Sequence, residues 1–171
     1  NNITIDGITL LGEGAADIAL SIDASAGVSD LTIRDMVIDA SNVVNTRSGI
    51  VCSGLSGTVI IDNNQFINLD GAFSFTTTPG GTDDGAGSIS ALQFSDNSII
   101  DSESSVNIEP VIGSITNAQV MGNVFTDSGV NSTGNDNTPM LTIRDASILY
   151  LADNHLQNIY STQAIFLQDV R

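Results

Sequence analysis

An eight-residue pattern, φ-x-φ-x-(Asp/Gly)-Asn-x-φ with φ apolar, recurs along this chain and limits what it can fold into. It reads Val59-Ile-Ile-Asp-Asn-Asn-Gln-Phe66, Leu92-Gln-Phe-Ser-Asp-Asn-Ser-Ile99, Ala118-Gln-Val-Met-Gly-Asn-Val-Phe125 and Leu149-Tyr-Leu-Ala-Asp-Asn-His-Leu156. Two earlier segments, Ile3-Thr-Ile-Asp-Gly-Ile-Thr-Leu10 and Leu31-Thr-Ile-Arg-Asp-Met-Val-Ile38, keep the apolar positions without the asparagine. The starts at 3, 31, 59, 92, 118 and 149 lie 28, 28, 33, 26 and 31 residues apart. A fixed local pattern at such a period is the signature of a solenoid, in which one repeat cannot bury its apolar side alone and a stack of repeats can.

Within each repeat the apolar residues alternate with period two, which predicts strands. Ile3-Thr-Ile5, a turn at Asp6-Gly7, and Ile8-Thr-Leu10 set the plan. A third alternating piece follows in every repeat: Ile18 to Ile22, Ile50 to Cys52, Ala72 to Phe75, Val106 to Ile108, Met140 to Ile143 and Ala164 to Leu167. Strand, tight turn, strand, polar loop, strand, loop predicts an all-β parallel solenoid of about six coils with three short strands per coil. At about 4.8 Å per coil the stack is about 29 Å long. All 171 residues fit one such domain.

The asparagines give the stack a second constraint. Asn64, Asn97, Asn123 and Asn154 fall at the same place in consecutive coils, where an inward carboxamide can donate to one neighbouring coil and accept from the other. The same residues are expected to supply the left-handed backbone of a tight bend. One place earlier runs Gly7, Asp35, Asn63, Asp96, Gly122, Asp153, so acids alternate with neutral residues. A further turn column runs Gly12, Ala40, Asn68, Asp101, Asp127, Asn158, where two acids become neighbours.

This coil, with its asparagine ladder, resembles the right-handed parallel β-helix proteins of the pectin-lyase-like class, over the whole chain. The class holds polysaccharide lyases, polygalacturonases, phage tailspikes and large bacterial surface proteins. The resemblance implies a scaffold and an extracellular or cell-surface setting, with a secreted bacterial protein expected. It does not choose among those activities.

Charge narrows the choice. Twenty acidic residues against four arginines and no lysine give a formal charge of −16. Such a surface repels nucleic acid and anionic lipid, and a polyanionic substrate would meet few cations. No stretch reaches the roughly 18 apolar residues of a membrane-spanning helix, and no secretory signal is visible. The chain opens on Asn1 and reads as a mature product or an excised piece.

Candidate chemistry is sparse. Asp83 and Asp84, in the glycine-rich break 76–87, and the neighbours Asp101 and Asp127 are the candidate Ca²⁺ ligands, because hard oxygen donors on flexible loops suit that ion. The break 127–139 is polar too and is expected on the same side. Arg34 and Arg144 both occur in Leu-Thr-Ile-Arg-Asp, but on different strands of their coils; pairing with local carboxylates is expected for each. An arginine base beside acidic Ca²⁺ ligands is what the lyases of the resembling class would use. His155 is the only histidine and reads as exposed. Cys52 is the only cysteine and reads as buried. Neither His-Gly nor Arg-x-Lys, the usual partners in the hydrolases of that class, occurs.

Three functions follow in order. The first is a non-catalytic structural or adhesive segment, such as a surface stalk, fibre or adhesin. The second is a pectate-lyase-like polysaccharide enzyme or its fragment. The third is a carbohydrate-binding or phage receptor-binding module. Strand at both ends, without a recognisable cap, predicts either a segment of a longer solenoid or a subunit that stacks end to end on its own copies, and glycans are the other expected partner.

Overall fold

The computed structural model of the chain describes residues 2–12, 18–23, 29–42, 48–75, 89–108, 114–128, 139–161 and 163–171. Three parallel sheets form the molecule, and the described residues contain no helix. The first sheet stacks β1 (Asn2–Asp6), β4 (Asp30–Arg34), β7 (Gly57–Asp62), β10 (Ile89–Ser95), β13 (Ile115–Met121) and β16 (Leu149–Ala152). The second stacks β2 (Thr9–Leu11), β5 (Val37–Asp39), β8 (Gln65–Ile67), β11 (Ser98–Ile100), β14 (Val124–Thr126) and β17 (His155–Gln157). The third stacks β3 (Ile18–Asp23), β6 (Ser48–Ser53), β9 (Gly71–Phe75), β12 (Ser104–Ile108), β15 (Leu141–Arg144) and β18 (Ile165–Gln168). Each sheet thus takes one strand from each of the six repeats. Four of the coils have a neighbour on both sides, and the first and last of the described coils have one each. This is the parallel β-solenoid that the repeat predicts.

The register follows the sequence pattern through the repeated motif, and β10 carries a bulge between Ile89 and Ala91 against β7. Ile3, Leu31, Val59, Leu92, Ala118 and Leu149 pair in one row across the first sheet. Five such inward rows fill the interior. In the inner coils they include Ile33, Ile61, Phe94 and Val120, then Ile38, Phe66, Ile99 and Phe125, all at most 2% exposed. Phe73 meets Phe75 edge to face at 5.0 Å between ring centroids and lies 5.6 Å from Phe94. Full burial of one such side chain contributes about 1.5–3 kcal/mol, against about 1 kcal/mol net for a neutral hydrogen bond. Apolar burial therefore drives the stacking, while the polar columns fix how the coils sit on each other.

The asparagine column is continuous. Asn97 Oδ1 accepts from the main-chain N–H and the carboxamide of Asn64, both at 3.0 Å. Asn123 Oδ1 does the same for Asn97, at 3.0 Å each. Asn154 Oδ1 does so for Asn123, at 3.1 and 2.8 Å. Each carboxamide also donates backwards to a main-chain carbonyl, as Asn97 does to Ile61 at 2.9 Å. At its lower end Asn64 Oδ1 accepts from the main-chain N–H of Met36.

One expectation needs correction. The ladder asparagines do not carry the left-handed backbone; the residues one place before them do. Asp35, Asn63, Asp96 and Asp153 have φ of 52–55°, and Gly7 and Gly122 have φ of 66°. Dividing the work explains the Asp-Asn pair: the first residue makes the bend, and the second keeps ordinary φ and turns its amide inward. The second turn column behaves likewise, with Asn68, Asp101, Asp127 and Asn158 at φ 50–53°. Asp145 and Asp169, after β15 and β18, form a third.

Candidate functional site

The left-handed turns bring the acidic residues to the surface, because a side chain at such a bend between two strands points away from the core. In the first column each acid has a neutral neighbour. Asn63 donates to Asp35 at 2.6 Å, and Gly122 leaves room for the Asp96 carboxylate, which a Cβ at 122 would strike. In the second column Asp101 and Asp127 do fall on neighbouring coils, joined by the Asp101 N–H to Thr126 O bond of 3.0 Å. Both are exposed. The Asn158 carboxamide donates to Asp127 Oδ1 at 2.8 Å, so the coil beyond supplies a neutral partner. Asp83 and Asp84 lie outside the described residues, as does 129–138 of the second break. Among the described residues no three His, Cys, Asp or Glu side chains gather to hold a metal ion.

Arg34 reaches back one coil to Asp6, with its Nε at 3.0 Å and its terminal nitrogen at 2.7 Å from the same carboxylate oxygen. Asp35 lies 3.9 Å away. Hydrogen bonding to Asp6, and then its charge, raise the Arg34 pKa further. Arg144 lies over the Phe166 ring, 5.2 Å from its centroid. The two arginines sit on different sheets, as their positions in the repeat require. His155 is exposed on β17 beside Val124 of β14. Cys52 is fully buried, and burial pushes its thiol up to about 12.

A second buried polar column was not anticipated. Ser102 Oγ accepts from the Leu69 N–H at 3.3 Å, and Ser128 Oγ accepts from the Ser102 N–H at 3.2 Å. Each hydroxyl donates to the carbonyl two residues earlier. The signal was present in the repeated Asp101-Ser102 and Asp127-Ser128 pairs: a bend residue followed by a small hydroxyl.

Concavities lie on two parts of the described surface. On the first sheet, Thr58, Ile60, Ala91, Gln93, Asn117 and Gln119 line a shallow hollow of about 90 Å³ that carries no formal charge. Its outward row runs Thr4, Thr32, Ile60, Gln93, Gln119 and Tyr150 from coil to coil. Such amides and hydroxyls can exchange hydrogen bonds with a polyhydroxylated ligand. At the C-terminal end a cavity of about 350 Å³ is lined by Ser114, Asp145, Ala146, Ser147, Asp169 and Arg171. There one cation faces two acids.

Comparison with family models, curated proteins and solved structures returned no match. What the coordinates of the coils show is the architecture, a parallel β-solenoid of three sheets.

Proposed function

We propose that this chain is a non-catalytic structural or adhesive β-helix of the cell exterior, a stalk, fibre or adhesin segment built on the coil plan of the pectin-lyase-like class. The observation that carries this reading is the vertical register that all three sheets keep across six strands, with one bulge between Ile89 and Ala91 of β10. The side chains that recur from coil to coil join neighbouring coils: Asn64 to Asn154 inside, and the left-handed Asn63 and Asn158 on Asp35 and Asp127 at the turns. A solenoid so joined transmits position along its axis, which is what a rod needs. The excess of acids keeps the lateral surface from nucleic acid and anionic membrane.

The hollow on the first sheet favours a second reading, a contact for neutral glycans. Its lining of Gln93, Asn117, Gln119 and Thr58 is uncharged on a chain of formal charge −16. One experiment separates the readings: a glycan array run beside a lyase assay on polyuronates. The structural reading expects no unsaturated product. Product formation overturns it in favour of a lyase, and binding without turnover, abolished by Gln119→Ala, promotes the glycan-binding module.

A further inference from the structure

The hollow on the first sheet owes its shape to one small residue. Ala91 pairs with Thr58 on one side and Asn117 on the other, just after the bulge of β10. Its methyl group leaves a gap between two longer side chains. Beside it, in the next outward row, stand Ile60, Gln93 and Gln119. The gap of about 90 Å³ has room for the hydroxyl groups along one edge of a sugar ring, and Ile60 offers an apolar patch for the C–H face of that ring.

Gln93 lines that gap with its amide already oriented. Asp62, Ser95 and Gln93 form a chain of hydrogen bonds whose direction is set from one end. A carboxylate accepts only, so the Ser95 hydroxyl gives its single proton to Asp62 Oδ1. Ser95 Oγ can then only accept from Gln93, and the Gln93 atom 2.9 Å away must be Nε2 and not Oε1. Ser95 is 1% exposed, so water does not compete for its hydroxyl. Arg34, which stands opposite Asp62 in the register, bonds Asp6 instead and leaves Asp62 to Ser95. Gln93 Oε1 remains as an acceptor with no partner among the described residues.

We propose that Gln93, oriented by Ser95 and Asp62, selects uncharged glycans at this hollow and turns away uronates. Vicinal hydroxyls both donate and accept, so a neutral sugar can give a proton to Oε1 and accept the remaining hydrogen of Nε2. A carboxylate can only accept. It would set an oxygen against Oε1 and a second negative charge near Asp62, on a chain of formal charge −16. Ser95 touches no ligand and is a positioning residue. The inference rests on the glycan-contact reading above and adds which sugars the hollow takes and which residue chooses them.

An array of uncharged glucans, xylans, mannans and galactans tests this with the full chain, followed by calorimetry on the strongest binder and on an oligogalacturonate of equal length. At least one uncharged glycan should bind, and the oligogalacturonate should bind at least about tenfold more weakly. Gln93→Ala should lower affinity for the uncharged glycan about five- to tenfold, the effect of one hydrogen bond. Ser95→Ala frees the Gln93 amide to turn over, so it should narrow the preference for the uncharged glycan, whereas a merely structural loss would weaken both ligands alike. Equal binding of the oligogalacturonate, or a preference that Ser95→Ala leaves unchanged, overturns the proposal. Binding that Gln119→Ala abolishes but Gln93→Ala does not touch removes this inference and leaves the glycan contact standing. An array on which no glycan is retained removes both.

Discussion

Asn97 Oδ1 accepts two hydrogen bonds from one residue, the main-chain N–H and the carboxamide of Asn64, each at 3.0 Å and 33 residues away in sequence. That bifurcation is why the column holds. The acceptor has two lone pairs, and both are used inside a region where Asn64 and Asn97 are 2% and 1% exposed.

Asn97→Ala leaves two donors of Asn64 and the Ile61 carbonyl without their partner. Buried polar groups left so cost about 1–3 kcal/mol each before relaxation, so a loss of about 2–4 kcal/mol is expected from denaturant unfolding. Asn154→Ala, at the half-buried end of the row, should cost clearly less. Equal losses at the two sites would show that the ladder's burial does not set its worth.

Asp101 holds φ of 50° on the surface. Asp101→Val should cost about 1–2 kcal/mol, because a β-branched side chain is crowded in the left-handed region. Asp101→Gly should stay within about 1 kcal/mol of wild type, the strain relieved against greater freedom of the unfolded chain. Thermal melts of the three proteins check the order.

Gly49 has ordinary φ, yet it has no room for a side chain. A Cβ there would stand 2.5 Å from the Ala72 carbonyl oxygen and 2.9 Å from Leu69 Cδ1. Backbone in the neighbouring coil cannot step aside cheaply, so Gly49→Ala is expected to destabilise by about 1–3 kcal/mol. An unfolding midpoint equal to wild type would show that the coils can separate locally.

Cys52 supplies a pH signature. Burial raises the folded thiol from an ordinary value of 9.0 to about 12, so the folded state keeps a proton that the unfolded state releases between those values. Its contribution is complete below about pH 9 and falls as pH rises toward 12. The stability of wild type relative to Cys52→Ala should therefore decline over that window, and a thiol reagent should label the native chain only as it unfolds. Fast labelling of the native protein at neutral pH would contradict the burial.

Arg34 and Asp6 lie in the open, with side chains 51% and 44% exposed. Solvent and salt screen such pairs, so Asp6→Asn should change stability little, and less still at high salt. Urea melts at two ionic strengths check this.

The pattern around Val59–Phe66 is enough by itself to set the architecture. A period-two run interrupted by Asp-Asn at a constant place can bury its apolar residues only if the copies lie in register, so the pairings Ile3–Leu31–Val59–Leu92 and the asparagine row follow from local chemistry. What tertiary structure alone decided depends on residues about one coil, 26–33 positions, apart. It assigned the left-handed bend to the residue before each ladder asparagine, buried the Ser102–Ser128 column, gave Arg34 to Asp6, and surrounded Asp35 and Asp96 with an amide and a glycine. It also placed an uncharged hollow across three coils. A repeat states which residues share a column; which of them meet, and which face water, depends on the height and slant of neighbouring coils.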